Sequence, residues 1–214
     1  MPVLPDDVLA QLRWRYATKK FDPTKKIPPD LWSKLEQAVV LAPSSYGLQP
    51  WKFIVVTDPQ MRQTLHPVSY QQAQILDASH LVVFAAKNPP TPADVDAHVA
   101  RAAAVRGVTV ESLDSLKKAI LGSLAGMNAE KAHRWAARQT YIAFGVFLAS
   151  AAMMGIDACP MEGFQPEKYD EILGLKAKGL GAVVLATAGY RATADGYAAA
   201  KKVRFDPGDV IEHV

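Results

Sequence analysis

Ala42-Pro43-Ser44-Ser45-Tyr46-Gly47-Leu48-Gln49-Pro50-Trp51-Lys52-Phe53 joins two elements of opposite kind. Before it, Leu31, Leu35, Ala38, Val39 and Ala42 recur at helical spacing, and after it Phe53-Ile54-Val55-Val56 is a run of strand formers. Pro43 stops the helix, because proline lacks an N–H and disfavours helix at the residue before it. The turn then holds two hydroxyls, a glycine, an amide and a second proline, more hydrogen-bonding capacity than a reversal needs. Ser44 and Ser45 either satisfy local backbone groups or hold a ligand, and loops held between rigid elements are where small-molecule sites sit.

On the N-terminal side, Asp6 or Asp7 is placed to cap a first helix whose Val8, Leu9, Leu12 and Tyr16 share one face. Its exit, Arg13-Trp14-Arg15-Tyr16-Ala17-Thr18-Lys19-Lys20-Phe21, mixes cations with aromatics, and cations leaving a helix into extended chain are placed to surround one anion. Pro28-Pro29-Asp30 opens the second helix. Beyond the loop, Asp58-Pro59 starts a helix, Gln71 to Leu76 reads as a short polar helical segment, and Leu81 to Ala86 is a strand covered on both faces. Two helices follow over about 90–127, the second capped at Thr109, and they read as a peripheral helical flap.

Asn128 caps the longest helix, running to Met154 and apolar over most of its circumference, which requires burial in the core or between subunits. Gly155 ends it, Ile156 to Met161 is a short strand, Pro166 starts a helix closing at Gly174, and Leu180 to Gly189 is a second strand covered on both faces. The tail, through Lys202-Val203-Arg204-Phe205 to Val214, is apolar enough to pack against something but too short to form a sheet alone.

The chain has 214 residues, 50% hydrophobic and 21% charged, and no Gly/Ser-rich or Pro-rich linker. One domain spanning 1–214 follows, of a size that buries roughly 70% of its unfolded surface. Net charge is +3 and the only basic runs are Lys-Lys pairs, so nucleic acid is not an expected partner. The most apolar window, Tyr141 to Ile156, is shorter than the ~20 residues of a membrane span, and the N-terminus lacks the pattern of a signal peptide. Cys159 is the single cysteine, which rules out an internal disulfide and suits a reducing cytoplasm.

His66, His80, His98, His133 and His213 show no metal-binding spacing, and His80 and Cys159 read as structural. Neither G-x-S-x-G, nor a P-loop, nor G-x-G-x-x-G is present. An enzyme built this way needs an organic cofactor to carry its chemistry. Arg15 and Lys19 at one end of the chain, with Lys202 and Arg204 alternating in extended sequence at the other, are the cations a phosphorylated cofactor would need.

Five motifs in order now resemble one family. P-S-S-x-x-x-Q-P-W-x-F from Pro43, Arg15 to Phe21, Leu76-Asp77-Ala78-Ser79-His80, Cys159-Pro160-Met161-Glu162-Gly163-Phe164, and Lys202-Val203-Arg204 are similar to the motifs of the FMN-dependent nitroreductase family. The match runs from about Leu9 to the C-terminus. The resemblance implies an α+β nitroreductase-like fold: a central, mostly antiparallel sheet flanked by helices, in an intertwined homodimer with one FMN in each of two interfacial clefts. It implies that Arg15, Lys202 and Arg204 hold the phosphate, and that Lys19 lies at the pyrimidine edge of the flavin. Tyr16, Ala17 and Pro160 fall within the same wall, and Pro43, Ser44 and Ser45 come from the neighbouring subunit. Gln71 would hydrogen-bond the ring; Met161, Glu162 and Gly163 would lie against it, with the Gly163 N–H toward N5. No protein side chain is assigned as catalytic.

NADH or NADPH would be the co-substrate, and small-molecule electron acceptors such as nitroaromatics or quinones would be reduced in ping-pong fashion. Reductive dehalogenation, flavin degradation and non-catalytic FMN binding are the alternatives on the same fold. Two departures from the family pattern stand out. Ala17 replaces the usual serine, and Gln74 stands where many members carry a second lysine, which should make the flavin harder to reduce.

Overall fold

The computed structural model describes residues 3–214. Four strands, β1 (Trp51–Val56), β2 (His80–Lys87), β3 (Asp157–Met161) and β4 (Leu180–Gly189), form one antiparallel sheet in the order β1-β2-β4-β3. Ile54 pairs with Val83, Val83 with Leu185, and Cys159 with Thr187. Every residue of β2 between His80 and Lys87 is buried, as its unbroken apolar run requires.

Alternation along the strands builds two cores. Leu81, Val83, Ala85, Cys159, Met161 and Leu185 face Leu65 of α3 (Pro59–Leu65), Ile75 of α4 (Gln74–Asp77) and Tyr169 of α8 (Pro166–Ile172). Val82, Phe84, Val184 and Ala186 face Trp32 and Leu35 of α2 (Pro29–Val40) and Phe147 and Ala151 of α7 (Ala129–Met153). Asn128 caps α7 by accepting from the Lys131 N–H at 2.8 Å, and Gly155 leaves the helix with φ +68°. This is an α+β architecture with an antiparallel sheet between helices.

α5 (Pro92–Arg106) and α6 (Asp114–Ala125) make a third cluster, in which Val95, Val99 and Ile120 pack on Leu48, Ala86 and Trp135. A capping box between Thr91 and Asp94 starts α5. Thr109 is not the helix cap: its Oγ1 accepts from the Ser112 N–H at 3.3 Å, but the short 3₁₀ turn Glu111–Leu113 follows Val110, and α6 begins one turn later than the sequence suggests.

Several expectations fail within the protomer. α1 (Pro5–Trp14) buries no residue, Leu9 is 45% exposed, and Tyr16 lies beyond the helix end. Its first position is Pro5, so Asp6 and Asp7 sit in the first turn beside the helix dipole rather than at the cap. Gln71 is not helical, because Tyr70 and Gln71 both have positive φ (53° and 55°) and α4 starts only at Gln74. The apolar residues of the tail find no cover within the protomer: Val203 is 84% and Phe205 81% exposed, and α9 (Pro207–Val210) has no buried residue. α7 is likewise buried on its sheet side but leaves Ile142 44% exposed.

The two sheet edges differ. Beside β3, Ala17 forms a parallel bridge to Ala158, and the Thr18 N–H donates to the Ala158 carbonyl at 3.4 Å. No strand among the described residues pairs with the outer edge of β1.

Candidate active site

The site begins where α1 unwinds. Arg15 has extended backbone (φ −68°, ψ 143°), and the chain runs extended to the bridge at Ala17. Alternation then sends Tyr16 and Thr18 to one side and Arg15, Ala17 and Lys19 to the other. On the first side, Asp157 at the start of β3 accepts from Arg191 Nε at 2.7 Å and from its backbone N–H at 2.9 Å. The Arg191 guanidinium lies 4.3 Å from the centre of the Trp14 ring and 4.6 Å from that of Tyr16. Asp195 accepts from the Tyr16 hydroxyl at 2.9 Å, from the Lys19 and Lys20 N–H groups at 2.8 and 3.1 Å, and from the Tyr197 N–H at 3.1 Å. Burial alone would raise the Asp195 carboxyl, but the Lys20 and Lys19 N–H groups and the Tyr16 hydroxyl hold it below the usual carboxylate range.

On the other side lies a cavity of about 640 Å³ whose floor and rim carry Arg13, Arg15, Lys19, Lys201, Lys202 and Arg204, and no carboxylate. Pro160, Tyr197 and Leu148 supply its apolar surface, and Trp14 and Tyr16 also border it. Burial and then the charge of Arg204 push the Arg15 guanidinium below its ordinary value. Burial, Arg15 and Arg204 do the same to the Lys202 ammonium. Cations crowded in this way favour an anion between them. Lys202 is not wholly free, since its ammonium donates to the carbonyls of Leu12 and Arg15 at the end of α1. The side chain read as a phosphate ligand therefore also satisfies orphan helix carbonyls.

A smaller cavity of about 370 Å³, lined by Lys26, Arg62, Ser79 and His80, shares no residue with the first. Its Arg62 is spent on the carbonyls of Val56, Ala78 and Ser79 at 2.9, 2.5 and 2.9 Å. His80 stacks on Trp32 with ring centres 3.8 Å apart, and burial, with Arg62 and Lys26 nearby, lowers its pKa to about 4.

Cys159 connects the cationic cavity to α4. Its sulfur lies 3.9 Å from Lys19 Nζ and 3.9 Å from Gln74 Nε2, so the thiol that had no evident partner in the sequence has two. Gln74 is buried there. Past β3, Gly163 packs so closely that an added Cβ would sit 3.0 Å from Gln72 Nε2, which donates to the Gly163 carbonyl at 2.6 Å. Beside it, the Tyr141 hydroxyl donates to Glu162 Oε1 at 2.5 Å. Met161 differs from expectation: its side chain is buried in the core and accepts from Thr187 Oγ1 at 3.8 Å, leaving only its backbone for a ligand.

The model of the nitroreductase family matches residues 12–190. The chain belongs to the nitroreductase family. A Staphylococcus epidermidis relative named "Putative NAD(P)H nitroreductase" is 35% identical over 97% of this chain and 96% of its own. Two solved structures described as a "putative nitroreductase" share the fold. One, from Bacillus subtilis, has a TM-score of 0.85 at 20% identity, covering 98% of this chain and 99% of its own. The other, from Exiguobacterium sibiricum and in complex with FMN, has a TM-score of 0.82 at 20% identity, covering 100% and 99%. As a member of this family the chain is an oxidoreductase.

In this family member, the residues expected from the sequence divide into two groups. Arg15, Tyr16, Ala17, Lys19, Pro160, Lys202 and Arg204 converge on the cationic cavity. Pro43, Ser44 and Ser45 do not line it: Ser44 Oγ accepts from the Gln49 N–H at 2.8 Å, and the Ser45 N–H donates to Gln139 Oε1 at 2.8 Å. Gln71 is exposed, with its N–H on the His66 carbonyl at 3.1 Å. Asp157, Arg191, Asp195 and Gln72 went unnoticed in the sequence. Asp157 carried a signal, an acid inside an apolar strand that must have a buried partner.

No helix among the described residues is long and apolar enough to cross a membrane.

Proposed function

We propose that this chain is an FMN-dependent oxidoreductase that uses NADH or NADPH to reduce nitroaromatics, quinones or similar small acceptors. The observation that carries the reading is the cavity at which cations from both ends of the chain meet with no acid among them. A phosphate dianion satisfies that arrangement, and about 640 Å³ lies within the range of cofactor sites. Arg15, Lys202 and Arg204 would hold the phosphate, with Tyr16 and Ala17 beside them. Lys19, Gln74, Pro160, Gly163 and the backbone of Met161 and Glu162 would hold the ring.

FMN, when bound, supplies two-electron chemistry, accepting reducing equivalents from the nicotinamide and yielding them to the acceptor in a ping-pong sequence. The chain's own residues bind and orient. Lys19 brings positive charge, which favours the reduced, anionic ring, while Gln74 adds none. Gly163, without a Cβ, leaves the backbone accessible at the wall. The Tyr141 hydroxyl fixes Glu162, and no side chain is assigned a proton-transfer step.

The working form in this reading is an intertwined homodimer. The unpacked face of α1, the outer face of α7 and the exposed apolar tail all ask for a partner surface. Pro43, Ser44 and Ser45 of one copy would then complete the cleft of the other. Residues 1–214 act as one FMN-binding domain, with about 90–127 as its helical flap. The flap touches the serine loop, where a Cβ on Gly47 would lie 3.4 Å from His98 of α5. The single buried thiol is in keeping with a cytoplasmic setting.

The test is a visible spectrum of the purified protein followed by anaerobic titration with each nicotinamide. The expected result is a yellow protein whose flavin absorbance bleaches with NADH or NADPH. A colourless protein that does not take up FMN, or a bound flavin that neither nicotinamide bleaches, would sink the reading.

A further inference from the structure

Asp195 lies outside every motif that led to the site, yet it touches both of its walls. Through Oδ2 it receives the Tyr16 hydroxyl and the Lys19 and Lys20 N–H groups, fixing the strand-like segment that presents Arg15 and Lys19. Through Oδ1 it receives the Tyr197 N–H and so caps the short helix Gly196–Ala199, from which the chain runs on to Lys201, Lys202 and Arg204. Asp195 is only 4% exposed. Its charge is met by these donors, and it lies behind Tyr16 and Tyr197 of the cavity wall without joining the lining itself.

We propose that Asp195 is a positioning residue for phosphate recognition, a single anionic pin holding the N-terminal and C-terminal cation-bearing walls at the separation that admits one phosphate group. The inference rests on the FMN reading of the cavity. Two physical effects of this residue have opposite signs. As a bare negative charge near an anion site, Asp195 would oppose phosphate binding, and its neutralisation would tighten FMN. As a pin, its loss lets two mutually repelling sets of cations separate, and FMN weakens.

Riboflavin is the control ligand, because it carries the same ring without the phosphate. The experiment measures FMN and riboflavin affinity by flavin fluorescence quenching in the wild-type protein and in Asp195→Asn, with circular dichroism to check the fold. The pin predicts that Asp195→Asn weakens FMN about tenfold or more and leaves riboflavin within about twofold, so that the preference for FMN falls by the same factor. Equal weakening of both ligands, no change, or tighter FMN would each overturn it. If Asp195→Asn does not fold, Tyr16→Phe removes one donor, and an unchanged FMN-to-riboflavin ratio there overturns the proposal. The reading beneath it fails separately, if the wild-type protein shows no preference for FMN over riboflavin.

Discussion

The two ends of the chain bring charge to the same cavity but are held in opposite ways. Trp14 to Lys20 is fixed on every side: a bridge to β3, a guanidinium against two aromatic rings, and a buried carboxylate taking three of its donors. From Lys201 onward, the only side-chain hydrogen bonds from the tail to the rest of the protomer, among the described residues, are those of Lys202 to Leu12 and Arg15. A site can thus be half preorganised. The rigid half is ordered by the protomer itself, whereas the tail beyond the Asp195 turn gains further order from the ligand or, in the proposed dimer, from the partner.

The strongest challenge to this contrast removes the tail. Deleting Phe205 to Val214 takes away Phe205, Val210, Ile211 and Val214, which contact little within the protomer. At roughly 1.5–3 kcal/mol for each apolar side chain buried elsewhere, self-association should weaken about a thousandfold or more, while the urea midpoint of the protomer barely moves. Sedimentation across a dilution series reads the first effect. A truncated chain that associates as tightly as the full one breaks the comparison.

Next in size is Arg191→Ala, aimed at the rigid half. It leaves Asp157, which is 5% exposed, buried without its cation and removes the contact with Trp14 and Tyr16. A loss of about 3 kcal/mol in urea unfolding is expected. A loss below about 1 kcal/mol would mean that this half is no better anchored than the tail.

The smallest effect is expected from Lys202→Met, which cuts the side-chain hydrogen bonds from the tail to the end of α1. Stability should fall by no more than about 1 kcal/mol, because the ammonium is exposed. Proteolytic nicking after Lys201 should nevertheless become faster, and an unchanged digestion pattern would show that the tail is held by something other than this ammonium.

Legibility in the sequence follows the same physical divide. β2 and β4 could be read because strands covered on both faces carry continuous apolar runs, and α7 because Asn128 and Gly155 mark its ends. The cations of the cavity were legible from charge spacing and from the order of the family motifs. What escaped was held by tertiary contacts alone. The amphipathic pattern of α1 says that a face seeks cover, not where the cover comes from. Tyr70 and Gln71 take left-handed backbone without a glycine to announce it. Asp195, in the turn Ala192-Thr193-Ala194-Asp195-Gly196, has the composition of any polar reversal, and its role depends on donors more than 170 residues earlier in the chain.

Along the outer side of β1, the backbone of Trp51-Lys52-Phe53-Ile54-Val55-Val56 has no neighbouring strand among the described residues, and Lys52 is its single charge. Such a margin invites identical segments to zip together, and a lysine is a common natural deterrent. Lys52 sets one charge against such pairing. Replacing it with a neutral β-former would send overexpressed chain toward inclusion bodies while leaving each folded molecule as it was.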